Sequence, residues 1–198
     1  MDNEGSIPNP GVPNADELPR FRYHPNPVAT GSLVRSDALC ISCEKPRGWI
    51  YAGPIYCEAE LDERICPWCI ADGAAHLRFG VEFVDPAAVG GYGDWVSPPK
   101  EVVEEICFRT PSFNGWQQER WFTHCQDAAS FQGFAGKEEL ESLDRAASDA
   151  IRIESGYDEE QWDDYFSQLD ANDGPTAYLF RCLHCGAWGG YSDCHSRE

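Results

Sequence analysis

The sequence predicts an α+β fold, with small mixed β elements built around cysteine turns and amphipathic helices toward the C-terminus. Three observations carry this expectation. Two Cys-x-x-Cys pairs, Cys40/Cys43 and Cys66/Cys69, are separated by 22 residues. A strand-like run, Ala177-Tyr178-Leu179-Phe180-Arg181, leads into a third pair, Cys182/Cys185. Residues 137–154 place Leu140, Leu143, Ala147, Ala150 and Ile151 at helical spacing with acids and arginines mostly opposite.

Taken in order, residues 1–19 hold four prolines among Asn, Gly and acids and read as a disordered leader; one folded domain is expected over 20–198. Aromatic alternation in Phe21-Arg22-Tyr23, followed by Pro25 and Pro27, marks the start of the folded part. Residues 48–57 read as two short β segments around Gly53-Pro54, a hairpin joining the first two Cys pairs. Ser97-Pro98-Pro99 opens a helix over about 98–108, which Thr110-Pro111 ends. Trp116 to Phe122 reads as a strand after a turn or as a helix ending before His124, and its period does not decide between them. Its polar centre, Gln117 to Arg120, reads as a hydrogen-bonded network around tryptophans. After the helix over 137–154, Trp162, Tyr165, Phe166 and Leu169 mark a separate helix beyond Gly156, and Asn172-Asp173-Gly174-Pro175 breaks the chain before the last strand.

The chain has 198 residues, ten cysteines and 34 acids against 15 lysines and arginines, a formal net charge of -19. That charge disfavours nucleic acid phosphates and anionic membrane as partners. No window offers the roughly 20 apolar residues of a membrane helix, and the first residues lack a signal-peptide pattern, so a soluble cytoplasmic protein without membrane insertion is expected. Reduced cytosolic thiols in clusters point to metal rather than to disulfides.

Two Cys-x-x-Cys turns can present four thiolates to one ion, so Cys40, Cys43, Cys66 and Cys69 read as a Cys₄ zinc site, a zinc-ribbon or treble-clef-like knuckle pair over 40–69. The rival reading, a redox dithiol at Cys66/Cys69, leaves Cys40 and Cys43 without a purpose. The turn Cys182-Leu183-His184-Cys185-Gly186 needs two more donors. Cys125 and Cys194 are expected to complete this second site, a knuckle over 182–194, with His124 as the substitute for Cys194. In a strand the neighbours His124 and Cys125 would point to opposite faces. His184 and His195 are less suitable donors. Cys57 and Cys107 read as core thiols, and His24 and His76 as ordinary hydrogen-bonded residues, with His76 a weak candidate for supporting the first site. Two zinc ions are expected, although a Cys₄ set also accepts iron.

These same residues carry a resemblance. Phe21-Arg22-Tyr23, Cys40-x-x-Cys43, Tyr51-Ala52-Gly53-Pro54, Cys66-Pro67-Trp68-Cys69-Ile70-Ala71-Asp72-Gly73, Gly115-Trp116-Gln117-Gln118-Glu119, His124-Cys125 and Tyr178 to Gly186 together resemble the CbrC family over about residues 21–194. The resemblance implies a bacterial protein associated with colicin tolerance. The family pattern often has a second Cys four residues after the position of Cys125, where this chain has Ala129; Cys194 is the thiol available to replace it.

The function expected is that of a non-catalytic, zinc-stabilised protein acting through a protein partner in stress or toxin tolerance, because closed four-ligand sites leave no open coordination position. The alternatives are an enzyme, either a thiol oxidoreductase using Cys66 and Cys69 or a hydrolase with an open second metal site built from Cys125, Cys182 and Cys185, and an acidic nucleic-acid mimic or toxin-neutralising protein. No nucleophile elbow, phosphate loop, zinc-protease motif or EF-hand supports the common enzyme or calcium classes.

Overall fold

The computed structural model describes residues 18–194. Of the expected leader, residues 1–17 lie outside the described residues, as does His195. Leu18 already packs against a buried cluster that includes Phe21, Leu33, Trp49 and Tyr51, and Tyr23 is buried as well.

The fold is a mixed α+β arrangement of small antiparallel sheets and six α-helices among the described residues. Strand β1 (Leu33–Arg35) pairs with β2 (Trp49–Tyr51). Helices α1 (Pro67–Ala71) and α2 (Ala74–Phe79) follow, then a 3₁₀ turn at Pro86–Ala88 and helix α3 (Lys100–Arg109). A two-residue hairpin joins β3 (Thr123–His124) to β4 (Asp127–Ala128) and leads into β5 (Ser130–Ala135). Helices α4 (Lys137–Ser142), α5 (Arg145–Ser155) and α6 (Glu159–Phe166) come next, and strands β6 (Thr176–Arg181) and β7 (Trp188–Asp193) complete a three-stranded sheet in the order β5-β6-β7.

The hairpin expected over 48–57 does not form. Only Trp49–Tyr51 is a strand, and it pairs with β1, a segment too short to announce itself. The Tyr51 ring folds back over Gly53, and its hydroxyl donates to the Pro54 carbonyl at 2.8 Å. Tyr56 instead bridges to Glu82. The single helix expected over 137–154 is two helices. Leu143 and Asp144 are extended between them, and the Asp144 carboxylate accepts from the Trp188 indole N–H at 3.0 Å, which draws that residue toward the sheet. The Trp116–Phe122 segment contains no helix; Trp121 makes a parallel bridge to Val89.

Strand β6 explains why its sequence reads as a continuous apolar run. Ala177 and Leu179 face Ala147, Ile151 and Trp162 of the C-terminal helices, while Tyr178 and Phe180 face an aromatic core with Phe113, Trp121 and Phe131. Both faces of the sheet are covered, so both sets of alternate residues are apolar. Helix α6 carries a reciprocal cap, with the Asp158 carboxylate accepting from the Gln161 N–H at 2.9 Å and the Gln161 side chain accepting from the Asp158 N–H.

Candidate metal centres

The first centre lies where a tight turn meets a helix start. In the turn Cys40-Ile41-Ser42-Cys43, the Glu44 N–H donates to the Cys40 carbonyl at 2.7 Å and the Cys40 N–H to the Lys45 carbonyl at 3.1 Å. Glu44 takes a left-handed φ of 58° to close the turn. Cys66 caps α1, Pro67 occupies the first helical position, and Cys69 follows one turn later. The Ile41 N–H donates to the Arg64 carbonyl at 2.9 Å, and this pulls the two pairs together.

The four sulfurs lie within 4.8 Å of one another. Cys40 to Cys69 and Cys43 to Cys66, which share no atom, are each 3.8 Å apart. A cation about 2.3 Å from four sulfurs at tetrahedral positions sets them about 3.8 Å apart, so the arrangement fits such an ion. It is far from the roughly 2.05 Å of a disulfide, and all ten cysteines are free.

The electrostatics agree with that fit. The Cys66 thiol holds Cys40 down to about 4 against its burial, helped by backbone N–H groups, one of which donates from Cys66 at 3.3 Å. In turn Cys66 is pushed well above the usual thiol range by its bond to Cys40 and by burial, and burial raises Cys69 to about 11. With one sulfur ionised its neighbours resist ionisation, and a divalent cation removes that conflict. Arg47 lies beside the set, where its interaction with Cys43 raises the guanidinium pKa and its Cζ sits over the Trp68 ring, 5.2 Å from the centroid.

The second centre repeats the turn of the first. The Gly186 N–H donates to the Cys182 carbonyl at 3.0 Å and the Cys182 N–H to the Ala187 carbonyl at 2.9 Å, with Gly186 at φ 71°. These are the bonds of Cys40, Glu44 and Lys45 at equivalent offsets, and the glycine after the second cysteine has the turn role its position suggested. The other two donors come from the β3–β4 hairpin. Both its central residues, Cys125 and Gln126, have positive φ of 54° and 57°, the backbone of a type I′ turn.

That turn corrects the expected ligand set. His124 ends the strand and Cys125 begins the turn, so the opposite-face argument for neighbours in a strand does not apply. His124 Nδ1 lies 3.2 Å from Cys125 Sγ and 3.4 Å from Cys185 Sγ, and Cys125 Sγ lies 3.8 Å from Cys185 Sγ. With Cys182 these atoms are all within 4.8 Å of one another. An N and an S donor on one tetrahedral ion are separated by roughly 3.5 Å, so a Cys₃His set fits here as well. Cys194 is not brought into the cluster. In the register of β6 with β7, Arg181 faces Trp188 and Thr176 faces Asp193, so Cys194 follows the far end of the sheet from Cys182, on the order of 20 Å away at strand rise. Its carbonyl accepts from the Gln117 side chain instead.

Burial would raise Cys182, but the backbone N–H groups of Cys185 and His184, followed by the His124 ring, outweigh it and bring its thiol down to about 6. His184 turns away from the cluster, its Nε2 2.8 Å from Asp127 Oδ2. Asp127 also accepts from the Tyr23 hydroxyl at 2.7 Å and from Arg22. Sequence reasoning missed this carboxylate. Its available signal was the position of Asp127 directly after His124-Cys125-Gln126, between the apolar Phe122 and Ala128.

The remaining candidates are structural. Cys107 is buried and raised to about 12 by that burial, whereas Cys57 is half-buried with its thiol donating to the Ala59 carbonyl. His76 stacks on Phe108 and bonds to Val81, and His24 is fully buried between Pro111 and Thr30. In the polar cluster, buried Glu119 accepts from the Tyr56 hydroxyl at 2.7 Å and from the Asp85 N–H, and Arg120 pairs with Glu154. No helix among the described residues is long and apolar enough to cross a membrane.

Comparison with known proteins places these residues in a family. Residues 18–194 match an uncharacterised protein family, UPF0167. UPF0167 proteins of Mycobacterium bovis and Mycobacterium tuberculosis are each 48% identical over 183 residues, covering 89% of this chain and 94% of theirs. A UPF0167 protein of Pseudomonas aeruginosa is 39% identical over 170 residues, covering 85% of this chain and 93% of its own. No solved structure matches the chain.

Proposed function

The chain belongs to the UPF0167 family, and from that premise we propose that it is a cytoplasmic protein stabilised by two zinc ions that acts by binding a protein partner rather than by catalysis. The observation that supports this most is the completeness of both donor sets. Each cluster offers four protein donors, and four donors fill a tetrahedral zinc without leaving a position for water or substrate. The hydrolase alternative takes three sulfurs with an open fourth position, and the presence of His124 as a fourth donor beside them supports the closed reading.

Zinc is the ion that thiolate and imidazole donors in this geometry favour. Because the second set is Cys₃His, it adds a formal charge of about -1 with zinc, against about -2 for the Cys₄ set. The chain's net charge of -19 favours a partner with a basic face and disfavours nucleic acid. The resemblance to the CbrC family supports a setting in bacterial stress or colicin tolerance. In that setting an acidic protein that captures a basic toxin segment is a coherent role.

Cobalt substitution tests the closed-site reading. Two tetrahedral cobalt centres with sulfur-to-metal charge-transfer bands, unchanged by added cyanide or azide, are expected. Bands that shift on adding those anions would show an open coordination position and put the metal-enzyme reading first.

A further inference from the structure

The two centres have similar donors but very different cover. In the first, Cys40, Cys66 and Cys69 are buried and Cys43 is half-buried, with Ile41, Ile65 and Trp68 packed in the same cluster. In the second only Cys182 is buried; His124, Cys125 and Cys185 are all exposed. Cys125 sits on the tip of a hairpin and Cys185 in a knuckle turn, and their sulfurs are 3.8 Å apart. Closing that gap to the roughly 2.05 Å of a disulfide moves two exposed side chains carried on turns rather than buried ones. The equally spaced sulfur pairs of the first centre lack this freedom.

We propose that the second centre is an oxidant-responsive site, in which a hydroperoxide converts Cys125 and Cys185 to a disulfide and expels the metal while the first centre stays loaded. One thiolate attacks a peroxide oxygen, the O–O bond breaks, and a sulfenic acid forms as the alkoxide or hydroxide leaves and takes a proton from solvent. The second thiolate then attacks the sulfenic sulfur, the S–S bond forms, and hydroxide leaves with a second solvent proton as water. Two electrons pass from the sulfurs to the peroxide. Cys182 and His124 remain, two donors where four held the ion. His124 also lines a cleft of about 430 Å³ with Tyr92, Trp95, Arg120, Glu154 and Trp188, so loss of the ion frees a residue in the wall of an aromatic-lined cleft. The inference rests on the reading that the second cluster holds zinc.

The test uses the full chain loaded with zinc, treated with hydrogen peroxide, with released zinc followed by a chromogenic chelator and cysteines mapped by alkylation and peptide mass spectrometry. One of two zinc ions should be released, with a Cys125–Cys185 disulfide, unmodified Cys40, Cys43, Cys66 and Cys69, and recovery on adding dithiothreitol and zinc. A Cys194→Ser protein should respond in the same way. Release of both ions together, release of neither, or a disulfide to Cys194 would overturn the inference while leaving two structural sites. A starting protein with only one zinc would overturn the metal reading of the second cluster and the inference with it.

Discussion

His184 Nε2 lies 2.8 Å from Asp127 Oδ2, and that contact joins the two halves of the second centre. His184 belongs to the knuckle of Cys182 and Cys185, while Asp127 pairs with His124 across the hairpin. The buried carboxylate also anchors Arg22 and Tyr23, so the start of the folded chain is tied to the same site. Desolvation alone would raise the Asp127 pKa, but Tyr23, His184 and Arg22 outweigh it and hold it below the usual carboxylate value.

Asp127→Asn keeps the shape but removes the charge that ties the knuckle, through His184, to the hairpin that carries His124 and Cys125. Groups that position metal ligands typically contribute 10- to 100-fold in affinity. Competition with a chelator should therefore show one of the two ions held about 10-fold more weakly and the other unchanged. Equal weakening of both would point to a general loss of stability.

The matched knuckles predict opposite outcomes for two substitutions. Gly186→Ala places a side chain at φ 71°, with room around it but a strained backbone, and should cost about 1 kcal/mol. Glu44→Gly relieves the same strain at φ 58°. It gives up an exposed pair with Arg78 and adds freedom to the unfolded chain, which together offset part of the relief, and should stabilise by about 0.5 kcal/mol. Urea unfolding of the zinc-loaded proteins measures both.

His24 gives a pH dependence of defined sign. Its burial, only partly opposed by the bond to the Pro111 carbonyl, lowers the imidazole to about 4 in the folded chain, against about 6.5 when unfolded. Above pH 6.5 both states are neutral and the contribution is fully present. As pH falls toward 4 the unfolded chain takes up a proton that the folded chain refuses, and about 3 kcal/mol is lost. A His24→Gln protein should lose less stability than the parent between pH 7 and 5; parallel curves would contradict the assignment.

The first centre was legible in the sequence because each of its pairs is made within one local turn, and only their meeting depends on the fold. The second was half legible. Its knuckle is local, but its other donors depend on a type I′ turn at Cys125-Gln126, which carries no glycine or asparagine to signal it. Cys194 was excluded by strand register, which a single sequence does not display. Strand β7 was equally hidden, because Gly189-Gly190 interrupts the strand-forming Trp188 and Tyr191. Its glycines admit the Phe122 ring at Gly189 and the Tyr178 carbonyl at Gly190, contacts that appear only once the sheet is assembled.

The central claim is that two separate four-donor centres exist and that His124, not Cys194, completes the second. Elemental analysis of the untagged parent with Cys66→Ser, His124→Ala and Cys194→Ser proteins tests it directly. The account predicts two zinc ions per chain in the parent and in Cys194→Ser, and one in each of the other two. A Cys194→Ser protein that loses an ion, or a His124→Ala protein that keeps both, would contradict it.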